Sequence, residues 1–444
     1  VSGRAAHGPP PAGAAPTFRL PARGRRDLIP GMSHTPVSTP SGAAPLNRRQ
    51  FLHRTTALAA GFSVWPAAAR AAEPGPKLNL GLIGCGGRGR WIADLFLKHG
   101  GYQLAGVFDY FADRANAAGD QFQVPAAHRY SGLYGYRKLL EQPGLDAVAI
   151  ESPPFFHPMQ AADAVAAGKH VYLAKPVAVD VPGCQRIEAS GRQATAKKLA
   201  FLVDFQTRAH PAYQEVARRI RAGQIGRLVS LDVGYQCDLY FQGMDEEFRR
   251  SKRDAEARVR AWAIDRVLSG DVITEQNIHA LDVATWFTDA APVRAYGTGG
   301  RARPYLGDCW DHYAVIFWFP ENVLASFSSK QVGFGYDDIL CRAYGTEGTV
   351  DTHYAGKVTL RTRDDVFNGD SRNLYQDGAV RNIAAFYDAI VKGDFTNPTV
   401  APSVRSNLTT ILGRTAAYTG KEVTWAEMMQ RAEAWEFPLH ELRA

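Results

Sequence analysis

The chain of 444 residues is long enough for two or three domains, each able to bury its own core, which excludes a disulfide-stapled miniprotein. With 45% hydrophobic, 11% aromatic and 21% charged residues, it has the composition of a folded globular protein rather than a fibrous or disordered one. The formal charge of +7 suggests nucleic acid only until it is located: residues 1–71 hold nine arginines, no lysine and one acid, Asp27, a formal +8 that leaves −1 on the remainder. The body is therefore near neutral, and no nucleic-acid partner is expected. Five scattered cysteines without a C-x-x-C pair, and twelve dispersed histidines without H-E-x-x-H, predict buried thiols and no metal site.

Residues 1–46 are rich in Pro, Gly, Ala and Arg without apolar periodicity and read as a disordered leader. In residues 47–71, Arg48-Arg49-Gln50-Phe51-Leu52 precedes a weakly apolar run and then Ala69-Arg70-Ala71, an A-x-A cleavage pattern. The segment resembles a twin-arginine export signal. It is too short, and too interrupted by Gly61, Ser63 and Pro66, to be a membrane-spanning helix. The expectation is a periplasmic or other extracytoplasmic protein that meets a membrane only during export. Met32, 16 residues before Arg48, is the expected start, and the mature chain should begin near Ala72. Outside the cytoplasm no soluble dinucleotide pool exists, so any nicotinamide should be held tightly and recycled in place.

From residue 77 the pattern alternates. A buried strand over 78–83 leads into Gly84-Cys85-Gly86-Gly87-Arg88-Gly89 and a helix over 91–98, the strand–turn–helix context in which G-x-G-x-x-G binds a dinucleotide. Gly84 permits the tight turn, Gly86 admits a pyrophosphate and Gly89 lets helix and strand pack closely. A second strand, 103–108, ends in Asp109, 25 residues past Gly84, where an acid accepts from the adenosine ribose and repels a 2′-phosphate. This favours NAD over NADP; Asp109 could in addition cap the helix expected over 110–122, the two roles not being exclusive. Further helices over 133–141, 158–167 and 183–195 alternate with strands over 147–150, 170–173 and 199–203. The fold class is α/β, with a doubly wound parallel sheet over residues 77–205 and ligands beyond its strand ends.

Those strand ends read Gly84-x-Gly86-x-x-Gly89, Asp109, Ser152-Pro153-Pro154-x-x-His157 and Ala174-Lys175-Pro176. Together they resemble the Gfo/Idh/MocA oxidoreductases, over roughly residues 77–425. The resemblance implies a catalytic Lys175 beside the nicotinamide, within an E-K-P motif whose glutamate is here Ala174. It also implies that Ser152, Pro153, His157 and Pro176 lie near the cofactor, although a histidine at a helix start can serve only packing.

Residues 206–425 turn from a helix over 213–221 to alternating segments at 228–235, 293–297, 313–319, 323–329 and 339–344. They predict an α+β domain with a mostly antiparallel sheet, one face of which is free for a homo-oligomer partner; residues 426–444 are expected to be a tail. The charged run 245–260 reads as a surface helix or an excursion at the site mouth. Glu275, His279 and Asp282 fall on one face of a helix. By the resemblance, His279 takes or gives the substrate proton with Lys175, and Glu275 orients the imidazole. Tyr235, Trp262 and Asn277 are candidates for contacting a sugar. The expected activity is hydride transfer between NAD and a sugar, sugar acid or polyol; the alternative is a glycoside hydrolase working through transient sugar oxidation and elimination.

Overall fold

The computed structural model describes residues 75–444, so the leader and the export-signal reading lie outside the described residues. Alternation of short apolar runs with amphipathic stretches produces β1 Leu78–Ile83, α1 Gly87–His99, β2 Tyr102–Phe108, α2 Ala112–Gln121, β3 Arg129–Tyr130 and α3 Gly135–Leu140. There follow β4 Ala147–Ile150, α4 His157–Ala166, β5 His170–Ala174, α5 Val181–Ala196 and β6 Phe201–Asp204. Local chemistry sets the helix ends. Asp180 caps α5 by accepting from Gly183 N at 2.8 Å, and α1 stops at Gly100, whose φ of 84° a side chain would strain.

The six strands lie in the order β3-β2-β1-β4-β5-β6, all parallel. Every residue of β4 is buried, as expected where helices cover both faces of a parallel sheet. The strand order reverses between β1 and β4, and the crevice that opens at such a point is where this architecture takes a ligand.

The second half comprises α6 Gln206–Ala209, α7 Pro211–Arg221, β7 Leu228–Cys237, α8 Gln242–Arg250, α9 Ala255–Arg260, α10 Arg266–Ser269, α11 Asp271–Glu275 and α12 Ile278–Thr288. Strands β8 Arg294–Gly300, β9 His312–Trp318, β10 Leu324–Gln331, β11 Asp338–Gly345, β12 Gly348–His353, β13 Lys357–Thr362 and β14 Val366–Asp370 come next. The chain continues through α13 Leu374–Lys392, α14 Val400–Thr419, β15 Val423–Thr424 and α15 Trp425–Arg431. The nine-stranded sheet runs β14-β13-β12-β11-β7-β10-β9-β8-β15, antiparallel except for the β7–β10 pair. Strands β9 and β10 alternate exposed and buried residues, so one face is covered while Tyr296, Ile316 and Leu324 stay exposed.

Four strands and two long helices after residue 345 exceed the expectation. Helix α14 is rich in Ser, Thr and Asn, a loop-like composition, yet Ser403, Ser406, Asn407, Thr409 and Thr410 are all buried. Its hydroxyls donate back to carbonyls four residues earlier, Ser403 to Thr399 at 2.6 Å and Thr409 to Arg405 at 2.9 Å, which lets polar residues sit inside a helix. Residues 426–444 are likewise more than a tail, since Phe437 and Leu442 are buried. All five cysteines are buried and free. Among the described residues, no helix is long and apolar enough to cross a membrane.

Candidate active site

The glycine-rich turn has the backbone its sequence demands. Gly84 holds φ at +97°, and a Cβ on it would meet the Glu151 and Ser152 backbone at 2.6 Å. A Cβ on Gly89 would stand 1.9 Å from Gly84 O, whereas Gly86 and Gly87 face open space. Asp109 locks the turn: its Oδ2 accepts from Cys85 N at 2.8 Å and its Oδ1 from Phe111 N at 3.0 Å. Burial pushes this carboxyl up from its usual value, while the two backbone donors pull it down. It is not the cap of α2, which begins after Phe111. Gly84, Gly86, Asp109, Ser152 and Pro153 line one crevice together with Arg114 and Trp262. A loop of free amides, a glycine that leaves room for a phosphate and an acid at the second strand end fit a dinucleotide.

Several expected contacts move. Trp262 lines this nucleotide crevice with Val259 and Phe111. Helix α9 carries Val259 there, and Arg260 reaches Asp113 at 3.0 Å, so the charged run 245–260 is indeed an excursion onto the crevice. His157 does not face the cofactor: its Nδ1 lies 2.8 Å from Pro176 O and its Nε2 2.7 Å from Ser152 O, tying two strand ends together. Two carbonyl acceptors favour a charged ring, but burial outweighs them and holds His157 at about 4. Arg88 is drawn from the loop to Glu151, Asp204 and Tyr375, not left free for a phosphate.

Beyond the neighbouring strand end, Lys175 follows β5 and is buried, its Nζ donating to Glu275 O at 2.5 Å and to Glu275 Oε1 at 3.2 Å. The expected single helix is broken at this point. Gln276 (φ −110°) and Asn277 separate α11 from α12, so Glu275 and His279 are not stacked one turn apart. Glu275 therefore serves Lys175 rather than His279. Asp282 is also diverted: fully buried, it receives a bidentate pair from Arg208 at 2.9–3.0 Å and a bond from Ser406 Oγ at 2.7 Å, a structural tie. His279 Nδ1, both amide atoms of Asn277 and Tyr354 Oη have no partner among the described residues, although all are buried. Such groups are costly to bury unless a ligand completes them. The His279 and Tyr354 rings meet edge to face at 5.2 Å, and Tyr235 is buried within the field of Glu275.

Burial, with Lys175 and Arg88 nearby, holds His279 well below the usual histidine range, so its ring is neutral. Burial also lowers Lys175 from its usual value, against the pull of Glu275. Lys175 thus moves toward neutral pH and His279 away from it, which favours the amine as the group that changes charge.

Two family models match the chain: residues 78–202 fit an oxidoreductase family with an NAD-binding Rossmann fold, and residues 213–351 fit the GFO/IDH/MocA C-terminal domain. The chain belongs to the Gfo/Idh/MocA oxidoreductases. It is an NAD-binding enzyme acting on CH–OH groups. Inositol 2-dehydrogenase 2 of Saccharopolyspora erythraea is 27% identical over 334 residues, covering 72% of this chain and 88% of that protein. The scyllo-inositol 2-dehydrogenase (NAD(+)) of Bacillus subtilis is 25% identical, covering 48% of this chain and 56% of its own length. The fold is shared with an aldose-aldose oxidoreductase from Caulobacter crescentus (TM-score 0.64, 20% identity, 78% of this chain and 99% of that one). It is shared too with a levoglucosan dehydrogenase in complex with NADH and levoglucosan (TM-score 0.63, 19% identity, 78% and 99%).

Sequence reasoning missed Glu151, Asp204, Tyr354 and Tyr375. Glu151 carried a signal, a charged residue directly after the wholly apolar β4. Tyr354 and Tyr375 lie some 180 to 200 residues beyond Lys175 with no motif around them.

Proposed function

We propose that the enzyme is exported and oxidises a carbinol carbon of a sugar, sugar acid or polyol, with its nicotinamide retained between half-reactions. The observation that carries the reading is the buried Lys175 amine, held by Glu275 directly after β5, in a fold that also buries the His279 and Asn277 polar atoms without a partner among the described residues. NAD, when bound, supplies the hydride acceptor. Lys175 takes the hydroxyl proton of the substrate in its neutral form, and Glu275 fixes the amine through its carbonyl and carboxylate. His279 and Asn277 hold neighbouring hydroxyls, a match for a polyhydroxylated ring such as those named in the relatives.

Retention is supported by a strap. Leu133 N donates to Arg443 O at 2.8 Å, Arg443 Nε reaches Glu256 at 2.7 Å, and Leu442 packs with Phe111, Leu133 and Phe156, all of which line the nucleotide crevice. Export rests on the motif in residues 47–71, and a homo-oligomer on the exposed Tyr296, Ile316 and Leu324 of the open sheet. Native mass spectrometry of protein purified without added dinucleotide, with fluorescence on exposure to sugars and polyols, tests the reading. The expected result is a bound NAD whose reduced form accumulates with a donor and clears with an acceptor sugar. An empty protein whose melting temperature ignores NAD would overturn it. Glycoside cleavage without net change in the dinucleotide would replace it with the elimination route.

A further inference from the structure

Arg88 occupies the fifth position of the Gly84–Gly89 turn, yet its guanidinium is fixed from three other elements. Its Nε lies 3.0 Å from Glu151 Oε2 after β4, and its Nη2 lies 2.5 Å from Asp204 Oδ2 in β6. Its Nη1 donates to Tyr375 Oη of α13 at 2.6 Å, and the planar group rests over the rings of Trp91 and Tyr375, at 5.6 and 5.5 Å from their centroids. Asp204 is itself anchored, accepting from Gln206 Nε2 at 2.9 Å and Asn382 Nδ2 at 2.8 Å. Both carboxylates are fully buried, so charge here is felt over a long reach.

The groups facing this cation are those of the redox site. Strand β5 lies between β4 and β6, with Leu173 paired to Ile150 and Ala174 to Asp204, so Glu151 and Asp204, the two carboxylates that hold Arg88, flank the strand end from which Lys175 projects; the charges of Glu275 on α11 and of Arg88 and Asp204 bear on Lys175, and those of Lys175 and Arg88 on His279 of α12. Glu151 makes no hydrogen bond of good geometry through either oxygen, so it balances charge without clamping. Burial pushes Glu151 up to about 7, with the Arg88 and Lys175 charges pulling it down and Asp204 pushing it up.

We propose that Arg88 is a positioning residue of the redox step: held by Asp204 and Tyr375 beside the strand end that carries Lys175, its guanidinium disfavours a second positive charge on the Lys175 amine. Glu151 opposes that bias when ionised. The inference rests on the reading of Lys175 as the proton carrier, but its test does not need turnover. Removing the two charges must move Lys175 in opposite directions, which neither a phosphate ligand nor a structural strut would produce.

The experiment is competitive acetylation of the cofactor-free full chain with acetic anhydride across pH, with the Lys175 peptide quantified by mass spectrometry. In Arg88→Met the pH of half-maximal labelling should rise by about one unit, and in Glu151→Gln it should fall by a similar amount, the size expected for one charge removed from a buried site. Arg88→Lys should behave as the parent. The acid limb of the pH–rate profile for hydride transfer should follow the same directions. Shifts of the same sign, or an unmoved midpoint, would overturn the proposal. Arg88→Met leaves two buried carboxylates with less compensation, and if it fails to fold, the isosteric Glu151→Gln decides alone: a Lys175 midpoint that stays or rises overturns the proposal. A moved midpoint with an unchanged rate profile would instead keep the electrostatic role and remove Lys175 from the proton step.

Discussion

The two ends of the crevice are built on opposite principles. At the nucleotide end, polar groups are satisfied within the chain: Asp109 accepts from two backbone amides, His157 bridges two carbonyls, and Tyr110 Oη donates to Glu256 while accepting from Arg443 N. At the redox end, Asn277, His279 and Tyr354 keep buried polar atoms unpaired among the described residues, and the charges of Glu275, Arg88 and Asp204 all bear on Lys175. The first arrangement preserves a shape, and the second keeps a field and a set of donors ready for a substrate. Shape can be maintained by redundancy, so single changes there should be mild. A field concentrated on one amine has no substitute.

The largest effect should come from Lys175→Met. Loss of the proton-carrying group is expected to slow hydride transfer about 10³-fold, within the range for a general acid–base residue, while NAD remains bound. Single-turnover fluorescence of the cofactor, beside native mass spectrometry, separates the two. A rate within tenfold of the parent would pass the proton role to His279 and would blur the distinction between the two ends.

The nucleotide end has its own signature in pH. His157 is held at about 4, below the ordinary value near 6.5, so the unfolded chain binds the proton more readily between these limits. Stability from this group is complete above about pH 6.5 and is lost as pH falls toward 4, a change on the order of 3 kcal/mol. Glu151 works against it, since a carboxyl raised to about 7 favours the folded state at low pH and loses that contribution from about 4.5 upward. Denaturant midpoints measured from pH 4 to 8 in His157→Gln should therefore lack the acid loss and show only the Glu151 decline. An unchanged acid limb would mean that His157 is already charged in the fold.

The sequence made the shape-preserving end largely legible, and the chemical end only in part. Short-range pattern accounts for the first: β1, the glycine turn and α1 are consecutive, Asp109 ends the very next strand, and each residue type is demanded by local backbone geometry. The redox end gathers Arg88, Glu151, Lys175, Asp204, His279, Tyr354 and Tyr375 from segments spread over nearly 290 positions. Lys175 and His279 could be named through a family resemblance, but their partners could not. A helical reading paired Glu275 with His279 and Asp282, and the break at Gln276 and Asn277 reassigned Glu275 to Lys175 and Asp282 to Arg208. Helix α14 escaped notice because buried Ser and Thr mimic a loop until their back-bonding is seen.

The smallest expected effect bears on the strap, the one part of the nucleotide end made from residues distant in sequence. Leu442 packs with Leu133, Phe156 and Val259, and the adjoining Arg443 links Leu133 N, Tyr110 Oη and Glu256. A buried Leu→Ala change costs about 2 kcal/mol or more where neighbours cannot close the gap. Leu442 touches only this local cluster, so the loss should appear as more frequent opening of the strap rather than global unfolding. In Leu442→Ala, release of NAD from the native protein should accelerate about tenfold, equivalent to about 1.4 kcal/mol, with hydride transfer per bound cofactor unchanged. A trap experiment with excess isotopically labelled NAD, read by mass, measures the exchange rate. If exchange is as slow as in the parent, retention resides in the glycine turn and Asp109 alone; if hydride transfer slows as well, the two ends are coupled and the division drawn between them fails.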